Sequence, residues 1–343
     1  MKAKKKKECN FASVGGQALM EGILMRGPGG TSMSLRLPDG SIETVMKNVT
    51  PLKDKFKPFG WPLIRGVVGF VETMILGYKS LMESAERTGL DVGKDEGESK
   101  FEKWILKHFG PKLMEIIGFI SALLGFALAF LLFFYLPTLV FNLLLGLTDK
   151  IALWKTVIEG VIRIVIFVSY MALVAQMKDI KRLYMYHGAE HKAIFCYENG
   201  EELTVENVRR QSRFHPRCGT SFMFVMIILS IMVSSVIYLL FPQLKDMTLV
   251  WMLVKLSIMP LILSLGYEFI KYAGKHQNLF VKVLSAPGLW MQRITTKEPT
   301  DDIIEVGIEA LKSVLPEYNG NANNLSDVKQ DSNELNSNEE EAK

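Results

Sequence analysis

Residues 116–148 read IIGFISALLGFALAFLLFFYLPTLVFNLLLGLT, a run that holds no charged side chain. About 20 apolar residues suffice for a helix to cross a bilayer, so this run exceeds one span. We expect Pro137 to end the first span and the remainder to cap it or to re-enter at the outer surface. Three further apolar runs follow, at about Ile151–Met177, Gly219–Leu240 and Met247–Ile270. The sequence therefore predicts a predominantly α-helical integral membrane protein with about four transmembrane helices.

The composition supports this class of protein. Hydrophobic residues make up 49% of the 343 residues, which is high for a soluble protein and moderate for a membrane protein with polar ends. The net charge of +4 is too small to indicate a nucleic-acid-binding protein. The three cysteines, Cys9, Cys196 and Cys218, are scattered along the chain. They indicate reduced thiols on a cytoplasmic face rather than a disulfide framework.

The positions of lysine and arginine predict the orientation of the spans. The segment 178–218, between the second and third spans, holds eight of these residues, whereas the outer connections at 137–155 and 241–247 hold three between them. Short loops rich in lysine and arginine stay on the cytoplasmic side of a membrane. We therefore expect the segment 178–218 and both termini to be cytoplasmic.

The cytoplasmic N-terminal region, residues 1–112, is expected to contain three features. Its glycine-rich stretch at 11–30 is typical of a loop. Two short alternating runs, Ser32–Leu37 and Ser41–Met46, flank a Pro-Asp-Gly turn and predict a β-hairpin. Residues 62–84 predict an amphipathic helix that either lies on the membrane surface or packs on the spans.

The remaining regions follow from composition. Residues 88–103 are polar and rich in glycine, which is typical of a linker. The four-span membrane region covers 113–275. Residues 276–315 predict interfacial and short cytoplasmic helices, and the acidic tail at 316–343 is expected to be disordered.

The segment Tyr186-His187-Gly188-Ala189-Glu190-His191-Lys192 carries the clearest chemical pattern. In a helix, the two histidines lie one turn apart on one face, with Glu190 beside them. Imidazoles at this spacing bind metal ions, and a neighbouring carboxylate can accept a proton from water. H-x-x-E-H is the inverted zincin pattern. We predict that His187 and His191 bind zinc or another divalent metal and that Glu190 is catalytic; the alternative is a polar cap or interfacial anchor.

The predicted topology brings three more candidate ligands to the same surface. His215 and Cys218 directly precede the third span, and Glu268 lies in the last turn of the fourth. A carboxylate in an apolar span is costly unless it is paired or binds a metal. We expect either Glu268 or the pair of His215 and Cys218 to complete the metal shell. The alternatives are an ion pair of Glu268 with Lys271 or Lys275, and a simple turn and helix cap around the other two.

A second polar set lies inside the predicted spans. Glu159 and Arg163 are four residues apart on the second span, so they can pair. Lys255 lies at a similar depth in the fourth span and can meet Glu159. This pattern is typical of an interhelical ion cluster that fixes packing, and a polar path or substrate groove is the alternative.

Several motifs together resemble a known family. They are Gly15-Gly16-Gln17-Ala18 with Glu21-Gly22 and Arg26-Gly27-Pro28, the 186–192 segment, and Arg213-Phe214-His215-Pro216-Arg217-Cys218-Gly219-Thr220-Ser221-Phe222. Over residues 12–312 the chain resembles the YqhQ-like family of bacterial multi-pass membrane proteins. The resemblance implies a protein of the bacterial cell membrane and carries the family label of a predicted metal-dependent enzyme. It implies no substrate.

A weaker resemblance concerns the motif alone. His187, Glu190, His191 and a downstream carboxylate such as Glu268 are similar to the ligands and base of the inverted-motif zinc peptidases of the insulinase type. This resemblance implies that the two histidines bind zinc and that Glu190 acts as the base. Those enzymes are soluble, and Gly188 is a poor helix former in the middle of the motif.

These patterns lead to one predicted function with two alternatives. We expect a membrane-embedded metal-dependent hydrolase, with peptidases among the options, whose site lies at the cytoplasmic membrane surface. A non-enzymatic scaffold, assembly factor or partner-binding protein with a structural His/Cys site is the first alternative. A transporter that uses Glu159, Arg163 and Lys255 is the second. The expected partners are the lipid bilayer and a membrane protein or peptide substrate, without nucleic acid.

Overall fold

The computed structural model describes residues 14–62, 64–89, 111–216, 218–245, 247–273, 276 and 278–319. From residue 90 on, the predicted linker lies outside these residues, and so does the predicted disordered tail from residue 320 on. The described chain forms a small β-sheet, four apolar helical stretches of membrane-spanning length and a set of more polar or shorter helices.

The sheet is antiparallel, and its four strands lie side by side in chain order. The strands are β1 Gly15–Leu19, β2 Gly22–Gly27, β3 Gly30–Arg36 and β4 Ile42–Lys47. The helices are α1 Leu52–Lys55, α2 Ile64–Arg87, α3 Pro111–Phe130, α4 Leu136–Leu145, α5 Lys155–Val174, α6 Lys178–Glu198, α7 Val205–Arg209, α8 Gly219–Leu240, α9 Thr248–Ser257, α10 Met259–Ala273, α11 Leu279–Thr295, α12 Asp301–Lys312 and α13 Pro316–Asn319. Short 3₁₀-helical turns occupy Lys57–Gly60, Asp149–Trp154 and Pro242–Lys245, and Leu131–Tyr135 is π-helical.

Four helical stretches of the described chain are long and apolar enough to cross a membrane. They are Leu123–Leu145, Lys155–Val174, Phe222–Leu240 and Leu249–Ala273. Few of their large apolar side chains are buried and many are exposed at the surface of the bundle, as expected for helices surrounded by lipid. The prediction of a mainly helical membrane protein with about four spans is confirmed.

Pro137 does not end the first span, which corrects the prediction. The helix continues from α3 through the π-helical turn at Leu131–Tyr135 into α4. Because proline has no N–H, the carbonyl of Phe133, four residues earlier, loses its usual donor. Nε of Arg163, on α5, donates to that carbonyl at 2.9 Å. Arg163 therefore supplies the hydrogen bond that Pro137 cannot, and the span crosses its proline as one helix.

The glycine-rich stretch is not a loop from Gly15 on, which corrects a second prediction. β1 and β2 pair across a two-residue turn, with Leu19 opposite Gly22. A Cβ atom at Gly22 would overlap the backbone of Ser34 on β3. Glycine here allows neighbouring strands to approach each other closely. These strands therefore have the glycine-rich composition of a loop although they form a regular sheet. β3 and β4 confirm the predicted hairpin.

The sheet lies between two helical layers. Ile23 and Met25 of β2 pack on one side in a core with α6 and α12. Leu24, between them, faces the other side and belongs to a core that Leu76 and Leu81 of α2 cover. Successive residues of a strand point to opposite faces, so β2 contributes to both cores. The N-terminal strands therefore hold α6, the helix that carries the His-Glu-His motif.

α2 confirms the helix predicted at 62–84 and connects the sheet to the fourth span. Near its start, Gly66 lies against the backbone of Ser264 on α10. Near its end, Lys47 of β4 donates to Glu83 at 2.5 Å. The helix therefore packs on a span at one end and on the sheet at the other.

Candidate metal centre

α6 runs without interruption through Gly188, so the i,i+4 geometry of the two histidines is intact. A methyl group at Gly188 would overlap the carbonyl oxygen of Lys297, in the segment that follows α11. The N–H of Lys297 donates to the carbonyl of Tyr184 at 2.8 Å, which fixes this crossing. The glycine is therefore required by a neighbouring backbone, and its low helix propensity is offset by the packing around it.

His187, His191 and Cys218 form a compact group of possible metal ligands. One ligand atom from each residue lies within 4.8 Å of the other two. The two imidazole rings have centroids 4.4 Å apart. Cys218 reaches them because it lies just before α8, where the chain re-enters the bundle. The structure therefore brings these three residues together.

Both imidazoles are oriented by backbone carbonyls. Nδ1 of His187 lies 2.9 Å from the carbonyl oxygen of Thr295, and Nδ1 of His191 lies 2.5 Å from that of Arg213. Because a carbonyl can only accept, each Nδ1 must carry the proton, which leaves the Nε2 lone pair available. Nε2 of His187 lies 3.1 Å from Sγ of Cys218. Carbonyl partners of this kind set the tautomer and the ring orientation of metal-binding histidines.

Glu190 lies one turn from His187 and is almost completely buried. Oε1 accepts a hydrogen bond from the N–H of Gly16, on β1, at 2.9 Å. No donor among the described residues reaches Oε2. Burial raises the pKa of the Glu190 carboxyl, and the neighbouring imidazole of His187 together with the Gly16 hydrogen bond opposes that rise. The carboxyl group is held by one oxygen and retains an acceptor on the other.

His215 lies beside the three-residue group but is not one of its members. Its ring centroid is 5.6 Å from that of His191 and 4.6 Å from the ring of Phe195. Its backbone exchanges two hydrogen bonds with the amide of Gln292, at 2.7 and 2.8 Å. Burial lowers the pKa of His215 to about 4, so the ring is neutral at physiological pH. The structure therefore gives His215 a position next to the candidate ligands rather than among them.

Glu268 is not brought to the candidate ligands, which corrects the sequence prediction. Both of its oxygens accept hydrogen bonds from Arg65 of α2, at 2.6 and 2.5 Å. The prediction considered only lysines on the same helix as partners. It missed Arg65 because the pair joins residues far apart in sequence. A bidentate arginine satisfies the carboxylate fully, so Glu268 is an ion-pair residue between α2 and α10.

The intramembrane set is only partly as predicted. Nζ of Lys255 donates to Glu159, so the predicted meeting of these residues is confirmed. The predicted pair of Glu159 with Arg163 is replaced by the hydrogen bonds of Arg163 to the Phe133 carbonyl and, at 3.3 Å, to Ser230. The freed carbonyl at Pro137 explains this difference.

Comparisons with known proteins agree with these motifs. Residues 61–317 match the model of a family described as "Protein of unknown function (DUF1385)". The chain is 34% identical over 307 residues to "Uncharacterized protein YqhQ" of Bacillus subtilis (strain 168), which covers 88% of this chain and 92% of the relative. This chain belongs to the DUF1385 family. No solved structure matches. The resemblance drawn from the sequence motifs is therefore confirmed.

The motif Gly15-Gly16-Gln17-Ala18 contributes to the site through a contact that the sequence did not predict. A Cβ atom at Gly16 would lie 2.9 Å from Cδ of Glu190 and 2.8 Å from the carbonyl oxygen of Leu24. Gly16 therefore both donates to Glu190 and makes room for it. A contact between residues 174 positions apart has no local signal. The motif Gly15-Gly16-Gln17 itself was the available indication, since paired glycines often mark a close backbone approach.

Proposed function

We propose that this protein is a membrane-embedded metal-dependent hydrolase, in which His187, His191 and Cys218 hold the metal and Glu190 is the general base. The observation that carries the proposal is the convergence of two imidazoles and one thiol whose ligand atoms lie within 4.8 Å of one another. Imidazole and thiolate groups are the ligands that zinc prefers, and zinc or another divalent metal is the proposed cofactor.

The residues present fit such a metal on three grounds. The donor set is chemically suitable, and the carbonyls of Thr295 and Arg213 leave each Nε2 atom with a lone pair that can bind a metal. Three protein ligands leave a fourth tetrahedral position open, as in catalytic rather than structural zinc sites. A bound zinc ion would supply Lewis acidity toward a carbonyl or phosphoryl oxygen and would make water a stronger acid.

The chain supplies the proton acceptor and its position. Oε2 of Glu190 has no donor among the described residues, so it can accept a proton from water during hydrolysis. The Gly16 N–H holds Oε1 and prevents the carboxyl group from rotating. Burial raises the pKa of Glu190 toward the range in which a carboxyl group both accepts and releases a proton efficiently.

We further propose a cytoplasmic site in a bacterial cell membrane, with both termini cytoplasmic. The excess of lysine and arginine in the 178–218 segment supports this orientation. A peptide or a membrane protein is the proposed substrate, because the candidate ligands lie on elements that begin or end next to the spans. The bilayer itself is the constant partner.

Metal analysis and four variants test the proposal. Protein purified in lipid nanodiscs should contain about one zinc per chain, and His187→Ala and Cys218→Ser should lose it. The exposed His276, outside the group, provides the matched control His276→Ala. Glu190→Gln should retain metal and thermal stability but lose hydrolysis of a quenched-fluorescence peptide library. Wild-type protein without metal, or a Glu190→Gln variant with full activity, would refute the proposal.

A structural metal site in a non-enzymatic scaffold is the second candidate. It is favoured by the position of the ligands, since a metal there would join α6 to the segment before α8. In that case His187→Ala should lower protein abundance and thermal stability, while Glu190→Gln should have no effect on any measured property. The two variants therefore separate the two candidate functions.

A further inference from the structure

A continuous apolar stripe runs along the outer face of α2. It consists of Phe70, Val71, Met74, Ile75, Tyr78 and Met82, which we call the α2 stripe, and all six side chains are exposed. Met74 and Ile75 are each 51% exposed and Tyr78 is 65% exposed. At 100° per residue these positions cover an arc of about 140° of the helix surface. An exposed apolar surface of this length is unusual in water and indicates an interaction site.

The opposite face of α2 is already occupied. Gly66 lies against Ser264 of α10. Gly77 lies against the side chain of Gln17, and a Cβ atom there would overlap it. Ser80 and Ser84 are also buried. Small and polar residues, together with Leu76 and Leu81 over the sheet, thus face the protein. The six large apolar residues of the stripe nevertheless face outward, unlike the outer face of a soluble amphipathic helix.

The position of α2 identifies what covers the stripe. The helix begins beside the last turns of the fourth apolar span, where Arg65 pairs with Glu268. Phe56 and Trp61, just before the helix, are 55% and 59% exposed. Aromatic side chains collect at the level of the lipid headgroups, where a span leaves the hydrocarbon. The start of the stripe therefore lies next to the exposed apolar surface of the fourth span.

We propose that the α2 stripe is immersed in the lipid leaflet next to the candidate metal centre and that lipid, rather than protein, covers it. The exposed Lys79 and Glu86 border the stripe, as charged residues border the buried face of an interfacial helix. Because α2 also packs on the sheet that carries Gly16, its contact with lipid sets the height of the candidate site above the bilayer. This inference does not depend on the proposed hydrolase activity.

Photocrosslinking of the full chain in nanodiscs of phosphatidylethanolamine and phosphatidylglycerol tests this proposal. p-Benzoylphenylalanine is placed at Met74 or Tyr78 and, as the matched control, at Thr73. Thr73 is also exposed but lies about 140° around the helix from Tyr78. After irradiation, intact-mass spectrometry should detect about fivefold more lipid adduct at Met74 and Tyr78 than at Thr73, since an interfacial helix immerses only its apolar face.

Three other outcomes would overturn the proposal. Crosslinked dimers would show that a second copy covers the stripe, and crosslinks within one chain would show that another segment of this protein does. Equal lipid adduct at all three positions would show that the stripe has no preference for lipid. If the Tyr78 variant fails to fold, the Met74 variant provides the same test. Metal content, measured on the same samples, reports separately on the proposed function.

Discussion

The hydrogen bond from Arg163 to the carbonyl of Phe133 gives a prediction that can be worked out in magnitude. Arg163→Met removes the donor that compensates for the missing N–H of Pro137. It also removes the longer hydrogen bond to Ser230. An unpaired buried carbonyl costs about 1–3 kcal/mol, and interhelical hydrogen bonds measured within membranes contribute about 0.6 kcal/mol on average. We therefore expect Arg163→Met to lower the free energy of unfolding by about 2 kcal/mol.

The decisive measurement is a double-mutant cycle with Pro137→Ala. Alanine restores a backbone N–H near the Phe133 carbonyl, so the second substitution should recover part of what Arg163→Met loses. We expect the double variant to be about 1 kcal/mol more stable than the sum of the two single changes predicts. The contact with Ser230 is lost equally in both backgrounds and cancels from the cycle.

Reversible unfolding in mixed detergent micelles, followed by circular dichroism, provides the free energies. Leu139→Ala, at a partly lipid-exposed position on α4, is the control in place of Pro137→Ala and should be additive with Arg163→Met. A coupling between Arg163 and Pro137 smaller than about 0.3 kcal/mol, within the error of additivity, would refute this explanation of how the span crosses its proline.

Three further predictions concern the candidate centre and its surroundings. Gly188→Ala should destabilise the fold by about 3 kcal/mol because the new methyl group overlaps the carbonyl oxygen of Lys297. Thermal unfolding measures this loss, and an unchanged unfolding midpoint would contradict the close contact between α6 and Lys297. Zinc at about 100 times its dissociation constant should stabilise the protein by about 2.7 kcal/mol. Chelation should reverse that effect and Cys218→Ser should abolish it, and a stabilisation that survives in this variant would point to a different site. Glu268→Gln should lower the thermal unfolding midpoint only slightly, because its pair with Arg65 is half-exposed. The variant should retain its metal content, and zinc loss would instead return Glu268 to the ligand shell.

The parts of the fold that the sequence predicted correctly are those with a strong local pattern. The uncharged run at 116–148 and its three successors require helices of membrane length. The Pro-Asp-Gly turn at 38–40 fixes the hairpin of β3 and β4. The glycine-rich strands were missed because glycine content is the same for a loop and for strands that approach closely. The short continuous apolar run Ile23-Leu24-Met25 was the signal that separates these two cases, since a strand buried on both faces has this pattern.

The candidate site was predicted where topology, rather than the motif, made the argument. His187 and His191 follow the exit of the second span, and Cys218 precedes the entry of the third, so the two crossings bring them to one surface. Glu268 satisfied the same argument and is nevertheless elsewhere. The number of membrane crossings assigns a residue to one membrane surface but not to a position on that surface. The position of the Glu268 carboxylate is determined by Arg65, on a helix far away in the sequence.

The backbone around the motif explains why such a site can be rigid. Three glycines mark close contacts around one short part of α6. They are Gly16 of β1, Gly188 of α6 itself and Gly307 of α12. Gly16 lies against Glu190, Gly188 lies against Lys297, and a Cβ atom at Gly307 would lie 3.3 Å from Cβ of Ala189. Backbone contacts of this kind leave no room for side-chain rearrangement. The candidate ligand atoms and the Glu190 carboxyl group are then held in position, which is the condition that the proposed metal binding and proton transfer would require.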